Sequence, residues 1–325
     1  MPNDRLSRED DAFLSRELQK IERDVIKTDY PDMPFAEGKI IPFSRELPPG
    51  VETYIYRISN ILGMSKIISN NANDLPRVDI DFKEAIGKIV TIGNEFAYTF
   101  RDIRSAKVAG RSLNSELMLS SKEATTRFFN EMIQYGDSIH GMIGLYNNPN
   151  VTEFAVSTVG SGSPNTAWYV AEIAVKTPDQ IIADVNSFII SITTLSKGTR
   201  RANLVLLPLV HYAHLVTTPR SANSDTTILG WLEKTNPTVK FMAVEELNIT
   251  RLTAKGILGP AGGALTGSMM MALTIAKDTI KVHLPMPYKV QPTYQLGLEM
   301  VTPTEMEIGG VDIRKPYAFA YAKNI

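Results

Sequence analysis

The chain has 325 residues, with 34 lysine and arginine side chains, 35 aspartate and glutamate side chains, four histidines and no cysteine. Its length allows two ordinary domains or one fold with large excursions, and a hydrophobic content of 43% excludes wholesale disorder. The net charge of −1 argues against a protein that binds nucleic acid by charge alone, and the lack of cysteine excludes disulfides, thiolate zinc sites and thiol nucleophiles.

The first elements along the chain are a helix and an extended arm. Leu14, Leu18 and Ile21 form a narrow apolar stripe at helical spacing, which predicts an amphipathic helix over 12–27. Several prolines in 31–49 exclude a helix or a central strand there and favour an extended path. Such a stripe has no partner within its own segment, so we expect another surface, such as that of another chain, to cover it.

Residues 51–100 predict a long two-stranded ribbon. The segment 51–59 is rich in β-branched and aromatic residues, and 77–100 supplies the returning strand. The residues between them at 70–76, NNANDLP, are typical of a turn. Because polar residues occur on both faces and a two-stranded ribbon is marginal alone, we expect it to lie on another surface.

Two helices follow the ribbon. The first ends at Gly110, and Ser112 then caps a longer helix that stops near Gly136. One face of the longer helix is predicted from Leu113, Leu117, Ala124, Phe128, Met132 and Tyr135. A helix of this length, about 35 Å, suggests a structural spine.

The second half of the chain alternates helices and strands. Thr177 and Gln180 form a capping-box pattern, which predicts a helix that ends at Lys197-Gly198. The further predicted elements are a buried strand at 202–208, a short helix at 209–216, a helix capped by Asp225, a strand at 239–247, a hairpin with its turn at 277–279 and a second hairpin around Gly309 and Gly310. This mixed order predicts an α+β fold and not a regular βαβ series.

Few residues point to catalysis or to a bound group. His211 and His214 have the i, i+3 spacing of a metal pair, but no acidic residue lies near them in sequence. The glycine-rich loop at 256–268 lacks the Gly-Lys-Ser/Thr and the helix start of a phosphate loop. We therefore predict no catalytic residue, cofactor, metal or small-molecule substrate. An enzyme, the less favoured class, would need these histidines or His140 to converge with carboxylates. No apolar stretch reaches about 20 residues, so we also expect no membrane partner.

Six segments in order resemble a family of tailed-bacteriophage major capsid proteins. They extend the match over nearly the whole chain, from about residue 12 to the C-terminus. The segments are PPGVETYIYRISNILGMSKIISNNANDLPRVDI, IGNEFAYTFRDIRSAKVAGRSL, HGMIGLYNNPNV, TPDQIIADVNSFI, ANLVLLPLVHYAHLVTTP and GGVDIRKPYAFAYA.

The family is similar to the Hong Kong 97-type capsid proteins and, more distantly, to the encapsulins. The resemblance implies an α+β Hong Kong 97-like fold with an N-terminal arm, an extended hairpin called the E-loop, a peripheral domain with a long spine helix, and an axial domain. On this chain the implied limits are an arm at 1–47, an E-loop at 48–98, a peripheral domain at 99–175, an axial domain at 176–285 and a return to the peripheral domain at 286–325.

The resemblance also implies the function. It predicts a virion protein, made in the bacterial cytoplasm, that self-assembles as hexamers and pentamers into an icosahedral head shell around double-stranded DNA. The DNA contact would be weak and non-specific, and the implied partners are portal and scaffolding proteins, with a cement or decoration protein as a further candidate. An encapsulin-like compartment shell is the alternative. If arm and ribbon project, the chain should expose clearly more than the roughly 13,000 Å² of a compact monomer of its mass.

Residues of the arm and of the E-loop are the candidates for contacts between subunits. The candidate contact residues are Leu14, Leu18, Ile21, Tyr54, Tyr56, Lys66, Asn70, Asn71 and Arg77. Quasi-equivalent packing needs hinges, and the candidates are Gly63, Gly87 and Gly93. Some such capsids cross-link a lysine to an asparagine, but nothing in the sequence fixes a partner for Lys66, Lys83 or Lys88, and solvated or salt-bridged lysines are favoured.

Overall fold

The computed structural model describes residues 33–62, 65, 79–108, 113–159, 166–170, 173–221, 223–257 and 265–325, which belong to one unit, 33–325. The arm helix predicted at 12–27 and the turn predicted at 70–76 lie outside the described residues. The same holds for eight of the candidate residues, which are Leu14, Leu18, Ile21, Gly63, Lys66, Asn70, Asn71 and Arg77.

The last part of the predicted arm is integrated into the body of the chain. Phe35, Ile40 and Ile41 are buried in a core that also contains Tyr146. Strand β1 (Phe43–Ser44) then pairs in parallel with β12 (Ile280–His283), which pairs on its other side with β16 (Val311–Ile313). The proline-rich segment therefore enters only the edge of a sheet, where missing N–H donors cost least.

The predicted ribbon is present, and one of its strands is much longer than the other. Strand β2 (Thr53–Leu62) pairs antiparallel with the first ten residues of β3 (Asp79–Thr99). The remainder of β3 pairs with β15 (Glu299–Gly309) without a break in the ladder. At about 3.4 Å per residue, β3 is about 70 Å long. Strands β13 (Met286–Val290) and β14 (Tyr294–Leu296) complete this sheet on the far side of β15.

The two helices after the ribbon are α1 (Phe100–Val108) and α2 (Leu113–Tyr135). The length of α2 is as predicted, but its predicted apolar face is only partly buried: Met132 and Tyr135 are in the core, whereas Ala124 and Phe128 are exposed. The buried side of α2 instead contains Ser121, Thr125 and Phe129. The reason is a polar contact: the side-chain amide of Asn94 on β3 donates to the Ser121 carbonyl oxygen and to the Thr125 hydroxyl, over 3.1 and 3.2 Å. These bonds place Ser121 and Thr125 against β3 in the middle of the helix, where Ala124 and Phe128 are exposed.

A second, five-stranded sheet has the order β10–β9–β11–β17–β6. Its strands are β6 (Thr152–Phe154), β9 (Leu204–Leu207), β10 (Lys240–Ala243), β11 (Met269–Leu273) and β17 (Phe319–Lys323). Its two faces contribute to two separate buried cores, because alternate residues of β9 and β11 point to opposite sides.

Three helices beside this sheet match the sequence closely. Helix α3 (Pro178–Leu195) begins with the predicted capping box at Thr177, and α4 (Leu209–Thr217) follows β9. Helix α5 (Ile228–Thr235) is capped by Thr227 and not by Asp225, because the Thr227 hydroxyl is the group that accepts from the Gly230 N–H. The remaining elements are α6 (Ile249–Ala254), the short pairs β4 (Gly136–Asp137) with β5 (Met142–Ile143) and β7 (Tyr169–Val170) with β8 (Ile173–Ala174), and 3₁₀ turns at Glu245–Leu247 and Pro316–Ala318.

Both hairpins predicted near the end of the chain are wrong in their pairing. Strands form on either side of the turn at 277–279, but β11 pairs with β9 and β17, whereas β12 pairs with β1 and β16. Likewise β15 and β16 flank Gly310 without pairing with each other. Each strand finds a partner far away in sequence, which local turn chemistry does not reveal.

The chain exposes 20,758 Å² of accessible surface. This area is clearly larger than the roughly 13,000 Å² of a compact monomer of its mass. The prediction of a chain with excess exposed surface is therefore confirmed. No helix within the described ranges is long and apolar enough to cross a membrane.

Candidate intersubunit contact surfaces

The root of the ribbon is fixed to its own chain by two tyrosines. Tyr54 and Tyr56 lie two residues apart on β2 and therefore on one face. The rings of Tyr54 and His283 are 4.3 Å apart between centroids, and Tyr54 is only 9% exposed. The guanidinium carbon of Arg314 lies 5.5 Å from the centroid of the Tyr56 ring. Burial, together with the charge of Asp312, raises the pKa of the Tyr54 phenol, so Tyr54 is a neutral packing group.

Gly87 and Gly93 occupy places where a side chain would collide. Gly87 lies opposite Tyr54 in the ladder, and a Cβ atom there would stand 2.1 Å from the Tyr54 Cζ atom. A Cβ atom on Gly93 would stand 2.5 Å from the carbonyl oxygen of Thr304. Both glycines lie within continuous ladders, and close approach is a sufficient reason for each. That they also act as hinges stays a prediction.

Beneath the tyrosines lies a buried polar cluster that joins β1, β12 and β16. The Asp312 carboxylate is 3.0 Å from the Arg314 Nε atom and 3.5 Å from the His283 Nε2 atom. Burial opposes the ionisation of Asp312, but the contacts with His283 and Arg314 lower its pKa overall. Lys281 Nζ, on β12, lies 3.0 Å from a carboxylate oxygen of Glu46. The position of the ribbon root is therefore fixed by contacts within its own chain.

The opposite face of the ribbon carries several exposed apolar side chains. Ile55 pairs directly with Ile86, and the neighbouring pair on this face is the ion pair of Arg57 with Glu84, at 3.0 Å between Nε and Oε1. We call the apolar residues of this face the ribbon stripe: Ile55, Ile80, Phe82 and Ile86, which are 60, 48, 61 and 69% exposed. Adjacent exposed apolar residues of this kind mark an interaction surface more often than scattered ones do.

The ribbon stripe continues a face that is already used for packing inside the chain. Side chains alternate along β3, so Asn94 and Phe96 share the face of Phe82 and Ile86. In the body of the chain Phe96 is buried, and Asn94 hydrogen-bonds to α2. Beyond the end of α2 the same face meets solvent. A surface supplied by another molecule would continue the cover that α2 begins.

A second group of exposed apolar residues lies at the other end of β3. Leu296 pairs with Glu299, and Glu299 pairs with Thr99, so the tip of the β14–β15 hairpin lies about two strand spacings, or about 10 Å, from the start of α1. We call this group the end cluster: Phe100, Ile103, Leu296 and Leu298, which are 39, 40, 62 and 77% exposed.

The predicted contact residues and the exposed surfaces only partly coincide. Tyr54 is covered by its own chain and Tyr56 is half-buried, so their contact with a neighbour stays a prediction. Sequence reasoning missed the ribbon stripe. The signal was present, since Ile80, Phe82 and Ile86 recur at even spacing along one strand.

The histidines do not converge on a catalytic or metal centre. His140 contacts Asp137 in an exposed turn, and His214 stacks on an aromatic ring of the β7–β8 pair. His211 is buried with its Nε2 atom 3.1 Å from the Ile325 carbonyl oxygen. In the parts of the chain that the structure describes, no three acidic or histidine side chains gather as metal ligands.

A long ribbon, a 23-residue helix and exposed apolar surfaces are the features expected of a protein that packs against copies of itself. The profile of the major capsid protein family matches residues 63–325, and the chain belongs to that family. It is a structural protein of the phage head shell. The predicted family and the predicted role as a head-shell protein are therefore confirmed. A comparison with curated protein sequences gives no match.

Solved structures show the same fold. The capsid of Myoviridae phage XM1 superposes with a TM-score of 0.76 at 16% identity, over 96% of this chain and 98% of that one. The capsid of a native GTA particle gives 0.64 at 9% identity, over 98% and 99%. A virus-like particle from Pyrococcus furiosus gives 0.52 at 12% identity, over 88% and 91%. The predicted Hong Kong 97-like α+β fold is confirmed, and the encapsulin-like alternative is less supported.

Proposed function

We propose that this protein assembles as hexamers and pentamers into a closed icosahedral shell around double-stranded DNA. The observation that carries the proposal is the ribbon stripe, an apolar surface on a ribbon whose opposite face is fixed to its own chain. Contacts that each copy shares with several others bury such surfaces, as in obligate assemblies of more than about 2,000 Å² per interface.

The proposed division of the chain follows the same logic. Segment 1–47 is the N-terminal arm, 48–98 the E-loop, 99–175 and 286–325 the peripheral domain, and 176–285 the axial domain. Pairing of β15 with β3 supports the return of 286–325 to the segment around the spine helix. Burial of Phe35 and Ile41 implies that these two arm residues pack within their own chain.

The further proposed partners follow from head assembly. A portal protein and a separate scaffolding protein would take part in building the shell, and a cement or decoration protein is a further candidate. The chain would be made in the host cytoplasm and carry no catalytic role in the virion. The packaged DNA would be held by weak, non-specific contacts, in keeping with a net charge of −1.

Electron microscopy of the purified recombinant chain tests the assembly. Closed shells with icosahedral symmetry are expected at protein concentrations that favour association, with or without a scaffolding protein. A chain that stays a compact monomer under all assembly conditions would overturn the proposal. Particles from the source that contain protein cargo and no DNA would instead establish the encapsulin-like alternative.

A further inference from the structure

A cleft with a strongly positive lining lies beside the root of the ribbon. It measures about 520 Å³, within the range of small-ligand sites, and is bounded by the segment 42–46 and by Lys277, Lys281 and Arg314. None of these residues belongs to the ribbon stripe or to the end cluster. Three segments that are distant in sequence therefore build one concave surface.

The cleft holds more positive than negative charge. Four cations line it, Arg45, Lys277, Lys281 and Arg314, and Glu46 is the single carboxylate among the lining residues. Lys281 contacts Glu46, and Arg314 contacts Asp312 behind the wall of the cleft. Counting both carboxylates, a surplus of two positive charges is left. Arg45 and Lys277 carry it, since neither has an ion-pair partner among the described residues.

The carboxylate of Asp278 does not neutralise this surplus. Asp278 follows Lys277 in sequence, but it contacts Arg200 and Lys315. Hydrogen bonds from Lys315 and Arg200 lower its pKa to about 2, so it stays ionised and engaged with those two cations. The charges around Asp278 sum to one further positive charge at the edge of the cleft.

One lining carboxylate is held ionised by its neighbours. The Lys281 ammonium, and to a smaller extent the nearby Ser44 hydroxyl, lower the pKa of Glu46. Glu46 is therefore engaged with Lys281 and is counted as a negative charge of the cleft.

We propose that this cleft binds phosphate groups. A carboxylate from a neighbouring copy would bring one negative charge to a surplus of two, whereas two consecutive phosphates of a nucleic-acid backbone bring two. Pyrophosphate brings about three near neutral pH, and the further positive charge around Asp278 would offset the third. Guanidinium and ammonium groups form a typical oxyanion environment. Binding of nucleic-acid phosphates rests on the proposed function, in which the shell encloses DNA. Binding of free pyrophosphate or phosphate does not depend on that function.

Two ligands and two double variants test the proposal on the purified full chain. Calorimetry measures the affinity for pyrophosphate, and fluorescence anisotropy measures that for a labelled DNA duplex over a series of salt concentrations. The test variant combines Arg45→Gln with Lys277→Gln. The control combines Arg104→Gln with Lys234→Gln, which removes the same charge from exposed positions on α1 and α5 outside the cleft.

The test variant should bind pyrophosphate at least about tenfold more weakly than the wild type, and the control should not. With DNA, the slope of log affinity against log salt should become shallower by about two in the test variant, one for each phosphate that the cleft no longer neutralises. Loss of pyrophosphate binding with unchanged DNA binding would support the cleft and assign it to free polyphosphate.

Three results would overturn the proposal: no binding of either ligand to the wild type, equal binding by both double variants, or unchanged binding by a test variant that no longer assembles. The last result would assign the cleft to carboxylates of a neighbouring copy. Unfolding midpoints of both variants report on folding, since the substituted side chains are exposed. Failure of the chain to form shells would contradict the proposed function and leave the pyrophosphate result standing.

Discussion

Replacing two residues of the ribbon stripe should impair assembly without impairing the fold. Phe82 and Ile86 are 61 and 69% exposed in the isolated chain. Full burial of such a side chain is worth about 1.5–3 kcal/mol, so covering the exposed part is worth roughly 1–2 kcal/mol for each residue. The double variant Phe82→Ser/Ile86→Ser should therefore lose about 2–4 kcal/mol per subunit on assembly, or about 30- to 700-fold in the association constant.

Light scattering at increasing protein concentration measures this effect as a rise in the critical concentration for shell formation. The matched control is Ile190→Ser, which removes an isoleucine of similar exposure, 59%, from α3 outside the ribbon. Unfolding midpoints of both variants should stay close to that of the wild type, because neither position is part of a core. An unchanged critical concentration in the ribbon variant would refute the assignment of the stripe as a contact surface.

Three further predictions concern folding and are measured by urea unfolding. Gly87→Ala should destabilise the chain by about 1–3 kcal/mol, because the new methyl group collides with the Tyr54 ring. Most of this loss of stability should disappear when Gly87→Ala is made in a Tyr54→Ala variant. Equal losses with and without Tyr54 would show that the collision is not the cause. Asp184→Asn should lower the free energy of unfolding by about 3–5 kcal/mol, because it leaves the buried Lys176, 2.6 Å away, without its counter-charge. Replacing both residues of the pair by Leu and Met should recover much of this stability. A small loss of stability in Asp184→Asn alone would contradict the prediction. Burial lowers the pKa of His211 from 6.5 to about 4, so the unfolded chain binds this proton at higher pH than the folded chain does. Stability should then fall, by up to about 3 kcal/mol, as the pH drops from 6.5 to about 4; His211→Gln should reduce this dependence, and an equally steep profile in that variant would exclude His211 as its source.

Local signals were strong enough to predict most elements and too weak to predict their partners. The capping box at Thr177, the β-branched and aromatic residues of β2 and the apolar run of β9 act within a few residues, and those elements form where they were predicted. Pairing of β11 with β17 and of β3 with β15 depends on residues about 50 and about 200 positions apart. Nothing in a turn such as 277–279 encodes such contacts, so both hairpin predictions failed.

The candidate surfaces show the same limit. The ribbon stripe could have been predicted from the even spacing of Ile80, Phe82 and Ile86, because every second side chain of a strand lies on the same face. The positive cleft could not be predicted from the sequence, because Arg45, Lys277 and Arg314 come together only when the arm segment pairs with β12. The net charge of the whole chain gives no sign of it, since 34 basic and 35 acidic residues nearly cancel.

A cryo-electron microscopy reconstruction of the assembled shell tests the central claim most directly, because it shows what lies against the ribbon stripe. Side chains of a neighbouring copy should lie within about 4.5 Å of Phe82 and Ile86 in every symmetry-independent subunit. A shell in which these two residues face solvent in all subunits would contradict the claim that the ribbon stripe is a contact surface between copies.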